Sequence, residues 1–333
     1  MSDLITLDYG SGGKKTDRLI REKILPVLDN EALAALGDGA VVPGAEELVF
    51  STDSFVVTPY RFPGGDIGKL AVCGTVNDVS MAGGEPKYLS LSFILEEGFP
   101  IAELDAILAS IRKTAEETGV MIVTGDTKVV ERGRGDGIYI NTAGIGFLRT
   151  PGLSPERLRS GDVVIVSGTV GEHGTAVMLA RNEALMEADV RSDCAPLNAA
   201  ALALGALGED LHCMRDPTRG GLATTLNEFI EGTGHGIALD ETAIPVSPAV
   251  GTVCEMLGLD PLYNACEGRL IAVVAPERAK EALAILQKSP HTEGAVIIGT
   301  VTDDHPGRLV LRTRFGGGRI LAKLSGNQLP RIC

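Results

Sequence analysis

The chain has 333 residues, of which 44% are hydrophobic, 22% charged and 4% aromatic, and its formal net charge is −14. This composition excludes a disordered or fibrous chain and predicts a globular protein with two domains of about 150 residues each. The apolar runs are far shorter than the ~20 residues that span a bilayer, and a negative chain without Lys and Arg clusters argues against nucleic acid and anionic membranes as partners.

The beginning of the chain and its cysteines predict a cytoplasmic protein. No basic region leads into an apolar stretch after Met1, so the sequence shows no secretory signal. The six cysteines lack Cys-x-x-Cys spacing, which disfavours a zinc site. We expect free thiols, as in a reducing compartment, with Cys73 as a small core residue.

The first half of the chain predicts alternating strands and helices. Strands are expected at residues 47–51, 88–95 and 121–124, and helices at 67–82 and 102–118. Gly119 is a natural end for the second helix. Residues 125–128, Gly-Asp-Thr-Lys, are accordingly predicted as a loop that follows a strand.

Turn-forming residues are dense at 149–155 and mark the predicted domain boundary. We therefore expect an N-terminal domain at 1–150, a C-terminal domain at 151–324 and a mobile tail at 325–333. The second half also predicts mixed α and β structure. Its strands are expected at 163–167, 269–275 and 319–324, and its helices at 175–181, 221–231 and 279–287.

A glycine-rich segment near the start is a candidate phosphate loop. Its glycines Gly10, Gly12 and Gly13 would let backbone N–H groups approach an anion. The spacing is not that of a Walker motif, because Asp8 stands where that motif has glycine. The segment is therefore either a phosphate site or a plain flexible turn.

Four aspartates, Asp38, Asp53, Asp78 and Asp126, stand in settings that differ from ordinary surface charge. Asp53 and Asp126 each follow an apolar run, and Asp78 lies in a predicted helix. Carboxylates at element ends can converge on Mg²⁺, which takes few carboxylates while it bridges nucleotide phosphates. The alternative is that each Asp caps a helix or a turn.

Three further side chains are candidates in the second half. His173 and Arg219 lie in glycine-rich loops that lead into helices, and the N-terminus of a helix attracts anions. Each side chain is therefore a candidate to contact phosphate or to position the tail, with a structural role as the alternative. Glu267 stands just before a predicted buried strand. Burial there would raise the pKa of its carboxyl toward that of a general base; a solvated loop position is the alternative.

Cys333 is the last residue of the chain. It is not a prenylation signal, because that signal has three residues after the cysteine. A thiol on a mobile arm is suited to carrying a group between sites, since the thiolate is a good nucleophile and the tether keeps its local concentration high.

Together these motifs resemble the HypE family of hydrogenase maturation factors. The aspartate motifs are shared with the wider aminoimidazole ribonucleotide synthetase-like (PurM-like) superfamily, whereas the terminal Pro-Arg-Ile-Cys is specific. The likeness covers essentially the whole chain. It is carried by Gly10-Ser11-Gly12-Gly13, Gly37-Asp38-Gly39-Ala40, Ser51-Thr52-Asp53, Val76-Asn77-Asp78, Gly125-Asp126-Thr127-Lys128, Asp216-Pro217-Thr218-Arg219, Asn264-Ala265-Cys266-Glu267 and Pro330-Arg331-Ile332-Cys333.

The resemblance implies a mixed α/β, two-domain PurM-like architecture. The N-terminal sheet pairs with that of a second subunit in a homodimer, ATP binds near the interface, and the C-terminal domain is an α/β sandwich. It also implies that a carbamoyltransferase, HypF, loads a carbamoyl group onto Cys333. The chain dehydrates this group to a thiocyanate with ATP, and the cyanide passes to iron held by the HypC and HypD proteins, for a NiFe hydrogenase.

The resemblance further implies roles for the candidate residues. Lys128 orients the thiocarbamate or stabilises developing charge, Glu267 accepts a proton and Cys333 carries the reacting group. ATP is bound by Gly10, Gly12, Gly13 and Arg219, and both ATP and Mg²⁺ by Asp38, Asp53, Asp78 and Asp126.

Two other functions remain open at this point. The chain is alternatively another enzyme of the superfamily, such as a thiamine-monophosphate kinase, a selenide water dikinase or the purine-pathway synthetase, none of which needs a cysteine arm. A hypothesis of a different class is a noncatalytic protein that binds nucleotide as a switch and docks its tail into a partner. ATP turnover distinguishes the enzymes from this noncatalytic protein.

Overall fold

The computed structural model describes residues 4–11, 13–36, 39–181, 188–324, 326, 329 and 331–333. The chain forms two mixed α/β domains, each built on its own sheet, so the predicted mixed α/β, two-domain architecture is confirmed. Within these ranges no helix is both long and apolar enough to cross a membrane.

The N-terminal domain begins with short helical segments and continues as a sheet with two long helices. Its helices are α1 (Lys14–Leu19), α2 (Leu25–Leu28), α3 (Glu31–Ala34), α4 (Ile67–Met81) and α5 (Ile101–Thr118), with a 3₁₀ turn at Leu7–Gly10 and a π-helical turn at Ile20–Ile24. Its strands are β1 (Leu48–Phe55), β2 (Arg61–Phe62), β3 (Gly65–Asp66), β4 (Gly84–Glu96), β5 (Met121–Val130) and β6 (Ile138–Leu148).

Local chemistry explains where the two long helices begin and end. The Asp66 side chain caps α4 by accepting hydrogen bonds from the N–H groups of Gly68 and Lys69. Gly119 ends α5 in the left-handed conformation, with φ of 73°. Both helices match their predicted ranges to within one residue.

The four-stranded sheet of this domain has the order β1-β6-β4-β5, and only β4 and β5 are parallel. Helix α4 packs on one face, with α5 beside it, and buries Leu70 and Leu104 completely. On the opposite face, Leu48 and Phe50 of β1 are 52% and 67% exposed. The described part of a single chain therefore leaves these apolar side chains on this face of the sheet exposed.

Strand β5 extends further than predicted. It continues to Val130 because it pairs in parallel with β4 as far as Glu96. Residues 125–128 therefore lie inside a strand, and the predicted loop is wrong. Asp53 likewise lies within β1, where it pairs with Thr142 of β6, and not at a strand end.

The C-terminal domain is built on a seven-stranded sheet of order β13-β12-β9-β11-β7-β10-β8. Its strands are β7 (Val163–Val166), β8 (Leu211–Arg215), β9 (Gly236–Asp240), β10 (Ile271–Val274), β11 (Val296–Thr302), β12 (Leu309–Arg312) and β13 (Gly318–Leu321). Its helices are α6 (Glu172–Arg181), α7 (Asn198–Leu204), α8 (Gly221–Ile230), α9 (Pro248–Leu257) and α10 (Ala279–Leu286), with 3₁₀ turns at Pro155–Arg157, Gly205–Asp210, Pro261–Tyr263 and Pro276–Arg278.

Helices cover both faces of this second sheet. Helix α8 buries Leu222 and Phe229 on one face, while α7 and α10 bury Leu204 and Leu286 on the other. Helices α6 and α9 pack together in a smaller cluster around Val253. The domain is thus an α/β sandwich. Each predicted strand and helix of 163–287 is present; α6 begins three residues earlier than predicted, and the others are slightly shorter.

Candidate active site

The last residues of the chain are docked against the N-terminal domain. Ile332 is 4% exposed and packs in that domain's core. The carbonyl oxygen of Cys333 accepts a hydrogen bond from the Val56 N–H at 3.1 Å. The Arg331 guanidinium donates to the Val56 carbonyl oxygen at 3.0 Å and forms an ion pair with Asp136. These contacts hold the terminal thiol at a defined position.

His173 holds the tail from the other side. Its Nε2 lies 2.9 Å from the Ile332 carbonyl oxygen, and its Nδ1 lies 2.8 Å from Oγ of Ser192. Burial lowers the pKa of this histidine to about 4, so the ring is neutral near pH 7. Because a carbonyl oxygen only accepts, the single ring proton is on Nε2. Of the roles considered for His173, the geometry supports positioning of the tail.

Cys333 lines two cavities that share part of their walls. The larger has a volume of about 480 Å³ and the smaller about 210 Å³, and both are bordered by Thr52, Asp53 and Arg219. The larger is also lined by Asn141 of β6. The smaller is strongly polar, and its other lining residues are Gly74, Asp78, Arg215, Asp216, Thr218 and Glu267.

Glu267 is a buried carboxyl in the smaller cavity. It is 2% exposed, and among the described residues its Oε1 has no hydrogen-bond partner. Burial is the main cause that raises its pKa well above the usual range, and the nearby Cys194, Asp216, Asp193 and Asp53 raise it further. The alternative of a solvated loop residue is therefore wrong. A desolvated carboxylate of this kind is a strong proton acceptor.

Three aspartates share the smaller cavity with Glu267. Burial raises the pKa of Asp53 and Asp78, and the charge of Asp53 raises that of Asp78 further. The Ser51 hydroxyl donates to Asp78 Oδ2 at 3.0 Å. Burial, together with Asp78, raises the pKa of Asp216 to about 7. Carboxylates that disfavour one another's ionisation provide oxygen ligands for a divalent cation, which would relieve their repulsion.

Lys128 and Asp126 lie in a third cavity, of about 180 Å³, which also contains Gly10. The Lys128 Nζ pairs with Asp126 Oδ1 at 2.6 Å, and both side chains are more than half exposed. Gly10 approaches β5 so closely that a Cβ there would lie 2.3 Å from the Val129 nitrogen. A side chain at position 10 would therefore displace the N-terminal segment from this cavity.

A row of paired residues across the N-terminal sheet gives the separation between Asp126 and the strand that borders the cavities of Cys333. Ser54, Asn141, Ser92 and Asp126 pair in one row across β1, β6, β4 and β5. Three strand spacings separate the ends of the row by about 14 Å. Within one chain, Lys128 and Asp126 are therefore not brought to Cys333 and Glu267.

The remaining predicted site residues have simpler outcomes. Gly12 and Asp38 lie outside the described residues. Gly13 precedes α1, and its carbonyl oxygen accepts the Asp17 N–H at 3.0 Å. No group of three or more His, Cys, Asp or Glu side chains in the described part of the chain is arranged to hold a metal ion. Asp53 and Asp78 alone would need further ligands, such as phosphate oxygens.

Sequence reasoning missed three residues near Glu267. Asp216 opens the motif that contains Arg219, and its position beside an arginine in a helix-leading loop was the available signal. Asn77 precedes Asp78, but a helical asparagine gives no sign of the element that it will face. Asp193 lies in a segment without periodicity, and no signal in the sequence identifies it.

Two family models match the chain. The description "AIR synthase related protein, N-terminal domain" applies to residues 36–148, and "AIR synthase related protein, C-terminal domain" to residues 159–312. A curated relative, the carbamoyl dehydratase HypE of Cupriavidus necator, is 48% identical over 335 residues, which cover 100% of this chain and 95% of that protein.

Solved structures resemble the chain over nearly its full length. The crystal structure of a hydrogenase maturation protein HypE in complex with ATP is 49% identical, with a TM-score of 0.95, and the match covers 98% of this chain and 99% of that one. A crystal structure of a HypE–HypF complex matches at 45% identity and a TM-score of 0.80, covering 92% and 99% of the two chains.

Proposed function

The chain belongs to the HypE family of hydrogenase maturation proteins, and we propose that it is an ATP-dependent carbamoyl dehydratase acting on a group carried by its own Cys333. The observation that carries this proposal is the shared cavity of Cys333 and Glu267. It places a thiol at the chain end next to a buried carboxyl with a raised pKa, which is the pairing that dehydration of a thiocarbamate requires.

The reaction converts R–S–C(O)NH₂ into R–S–C≡N. Transfer of the γ-phosphoryl group of ATP to the carbonyl oxygen makes that oxygen a leaving group, and the C–O bond breaks as phosphate departs. The two N–H bonding pairs become the additional C–N bonds, so two protons leave the nitrogen. One of them remains on phosphate and one is released, and the products are the thiocyanate, ADP and phosphate.

Glu267 accepts a proton from the nitrogen in this scheme. Its carboxylate is desolvated, and Oε1 has no protein hydrogen-bond partner in the described ranges, so it is available to the N–H of a group on the Cys333 sulfur. Arg219 lines both cavities and supplies positive charge for the phosphate that forms. Lys128 is too distant from Cys333 within one chain, so its proposed role of orienting the thiocarbamate or stabilising developing charge requires the Lys128 of a second subunit across the open sheet face.

ATP binding is proposed for the open sheet face and the cavities beside it. Gly10, which lines one of these cavities, and the neighbouring positions Gly12 and Gly13 in the sequence are proposed to contact the nucleotide. Asp53 and Asp78 fit a magnesium ion because both are carboxylates in one cavity, and burial, together with the charge of Asp53, raises the pKa of Asp78. Mg²⁺, when bound, supplies charge neutralisation for the ATP phosphates. Asp38 is another proposed ligand of this magnesium–nucleotide group, and Asp126, about 14 Å away along the sheet of one chain, would join the group only from a second subunit.

In its docked position, the tail is placed for dehydration of a carbamoyl group on Cys333 but not for receiving that group. Burial and the charge of Glu267 raise the pKa of the Cys333 thiol to about 12, so the docked thiol is a poor nucleophile near pH 7. We infer that the tail leaves its cavity to receive a carbamoyl group from HypF, returns for dehydration, and leaves again to pass cyanide to iron on HypC and HypD. A HypE relative forms a complex with HypF.

A homodimer through the open sheet face completes the proposal. The apolar residues there pair directly across strands, Leu48 with Phe147 and Phe50 with Ile145. Exposed apolar faces of this kind mark contact with another protein surface, and a two-fold interface uses one self-complementary patch. ATP near this interface would meet Lys128 and Asp126 from the same face.

The proposed location is the cytoplasm, since all six cysteines are free thiols, as in a reducing compartment. Membership of the HypE family favours the dehydratase over small-molecule kinases of the same superfamily. The noncatalytic nucleotide switch differs in having no turnover.

A stoichiometric assay tests the proposal. The carbamoylated chain is mixed with Mg·ATP, and phosphate release is followed beside formation of thiocyanate. We expect one phosphate for each thiocyanate, and no phosphate above background from Cys333→Ser. Phosphate release that is independent of Cys333 would instead support another ATP-dependent enzyme of the superfamily that acts on a small molecule, and absence of release from the carbamoylated chain would support the switch.

A further inference from the structure

We infer that Asn77 and Asp193 are positioning residues that fix the direction of the Glu267 carboxyl across the domain boundary. This inference rests on the proposed function, in which Glu267 is the proton acceptor. Neither side chain lines the cavities of Cys333, so both would act through Glu267 and not on the reacting group.

The Asn77 side chain joins the two domains through three hydrogen bonds, two that it donates and one that it accepts. It lies on α4 of the N-terminal domain and is fully buried. Its Nδ2 donates to the carbonyl oxygens of Ala195 at 3.1 Å and Glu267 at 3.4 Å. Its Oδ1 accepts the Leu197 N–H at 2.8 Å. All three partners belong to the C-terminal domain, and one of them is the backbone of Glu267 itself.

Asp193 holds the same residue from within the C-terminal domain. Its Oδ1 accepts the Glu267 N–H at 3.2 Å, and its side chain is completely buried. The segments that contain Asp193 and Glu267 also pack backbone against backbone, since a Cβ at Gly268 would lie 1.8 Å from the Asp193 carbonyl oxygen. The Arg269 Nε, 3.7 Å from Asp193 Oδ2, offsets the buried charge.

The Glu267 backbone is therefore held at both of its polar groups, the N–H by Asp193 and the carbonyl oxygen by Asn77. The carboxyl at the other end of the side chain has no such support at Oε1 among the described residues. Its direction into the cavity consequently depends on how the backbone is placed. Asp78, the residue after Asn77, lines that cavity. One turn of α4 therefore determines the positions of both Glu267, the proposed base, and Asp78, a proposed metal ligand.

A purely structural role is the competing explanation, and the chain offers a matched control for it. The Asn198 side chain also donates a hydrogen bond across the domain boundary, to the Thr118 carbonyl oxygen at 2.9 Å. Within the described ranges, no hydrogen bond joins the Asn198 side chain to the Glu267 segment. Loss of either amide weakens domain contact, but only loss of the Asn77 amide releases Glu267.

The test uses the full-length carbamoylated chain with Asn77→Ala, Asp193→Ala, Asp193→Asn and Asn198→Ala. For each, we would measure the single-turnover rate of dehydration, the ATP concentration at half-maximal rate and the folded fraction by thermal unfolding. A displaced base slows the chemical step without weakening nucleotide binding. We expect Asn77→Ala and Asp193→Ala to lower the rate about 10- to 100-fold per folded molecule, with the half-saturating ATP concentration unchanged.

The other two variants separate positioning from folding. Asp193→Asn keeps an oxygen for the Glu267 N–H and should restore a rate close to that of the unmodified chain, while Asn198→Ala should have the unmodified rate. Equal rates in Asn77→Ala and Asn198→Ala would overturn the inference, and so would an Asp193→Asn rate as low as that of Asp193→Ala. If Asn77→Ala does not fold, Asn77→Ser replaces it. Failure of the unmodified chain to dehydrate would count against the proposed function instead.

Discussion

The buried carboxyl of Glu267 and the thiol of Cys333 line the same cavity, where burial, together with the charge of Glu267, raises the pKa of that thiol. The same relationship has a consequence for Glu267, whose own pKa is raised chiefly by burial. A carboxyl in this setting costs stability when it ionises, and this cost is tolerated where the ionised form is needed for chemistry.

Glu267→Gln should abolish dehydration while stabilising the fold. The unfolded chain ionises Glu267 near its ordinary pKa, but the folded chain resists ionisation until a higher pH. Native stability therefore falls as pH rises between these two values, and glutamine removes this loss. We expect the melting temperature of the variant to exceed that of the unmodified chain by more at pH 8 than at pH 5. A difference independent of pH would contradict a raised pKa for Glu267.

The rate of dehydration should fall as pH is lowered. Glu267 accepts a proton only when ionised, and its pKa lies well above the ordinary range. The acid limb of the pH–rate profile should therefore lie above the pH expected for a solvated glutamate. Single-turnover rates of the carbamoylated chain across pH would measure it. A rate that stays flat down to the ordinary pKa of glutamate would mean that another group accepts the proton.

Release of the tail should make Cys333 reactive. Asp136 pairs with Arg331, so Asp136→Asn removes one anchor without touching the cavity. The thiol would then spend more time in water, where its pKa returns toward that of free cysteine. We expect faster alkylation of Cys333 by iodoacetamide at pH 7.5, measured by peptide mass spectrometry. The five other cysteines are buried and serve as internal controls. An unchanged alkylation rate would show that the ion pair does not hold the tail.

Lys128→Ala should separate function from stability. The ion pair with Asp126 is more than half exposed on both sides, so its loss costs at most about 1 kcal/mol. We expect an almost unchanged melting temperature and loss of thiocyanate formation. Lys113→Ala, at an exposed position of α5, is a suitable control. Retention of full activity by the Lys128 variant would remove this lysine from the mechanism.

Phe50→Arg should weaken the proposed dimer. Phe50 is 67% exposed on the open sheet face and pairs with Ile145. A charge at this position would be desolvated without a partner in a two-fold interface. Met256→Arg is a suitable control, because Met256 lies on α9 and has the same 67% exposure. Sedimentation velocity should show a dimer for the unmodified chain and for Met256→Arg, and a monomer for Phe50→Arg. A dimer in all three would move the interface elsewhere.

Much of the fold follows from local patterns in the sequence. Helix α5 carries apolar residues at helical spacing and ends at a glycine, so its limits were predictable. Strand β5 was not, because its second half contains Gly125, Asp126 and Lys128, which do not favour a strand. Its extension depends on pairing with β4, a contact between segments about 30 residues apart.

The site was predictable as a set of residues and less so as an arrangement. Motifs selected Asp53, Asp78, Glu267 and Cys333, and the fold brings these four to one cavity. The motif that contains Lys128 looks equivalent in sequence, yet it lies on another strand of the sheet, about 14 Å away along the row of paired residues. Asn77 and Asp193 became visible only through hydrogen bonds between distant segments.

Mass spectrometry of the C-terminal peptide tests the central claim most directly. The chain and its Glu267→Gln variant are each incubated with the carbamoyltransferase, carbamoyl phosphate and Mg·ATP. The account predicts that both gain one carbamoyl group on Cys333 and that only the unmodified chain then loses one water. A Cys333 that stays unmodified in both, or an equal loss of water in the two chains, would contradict it.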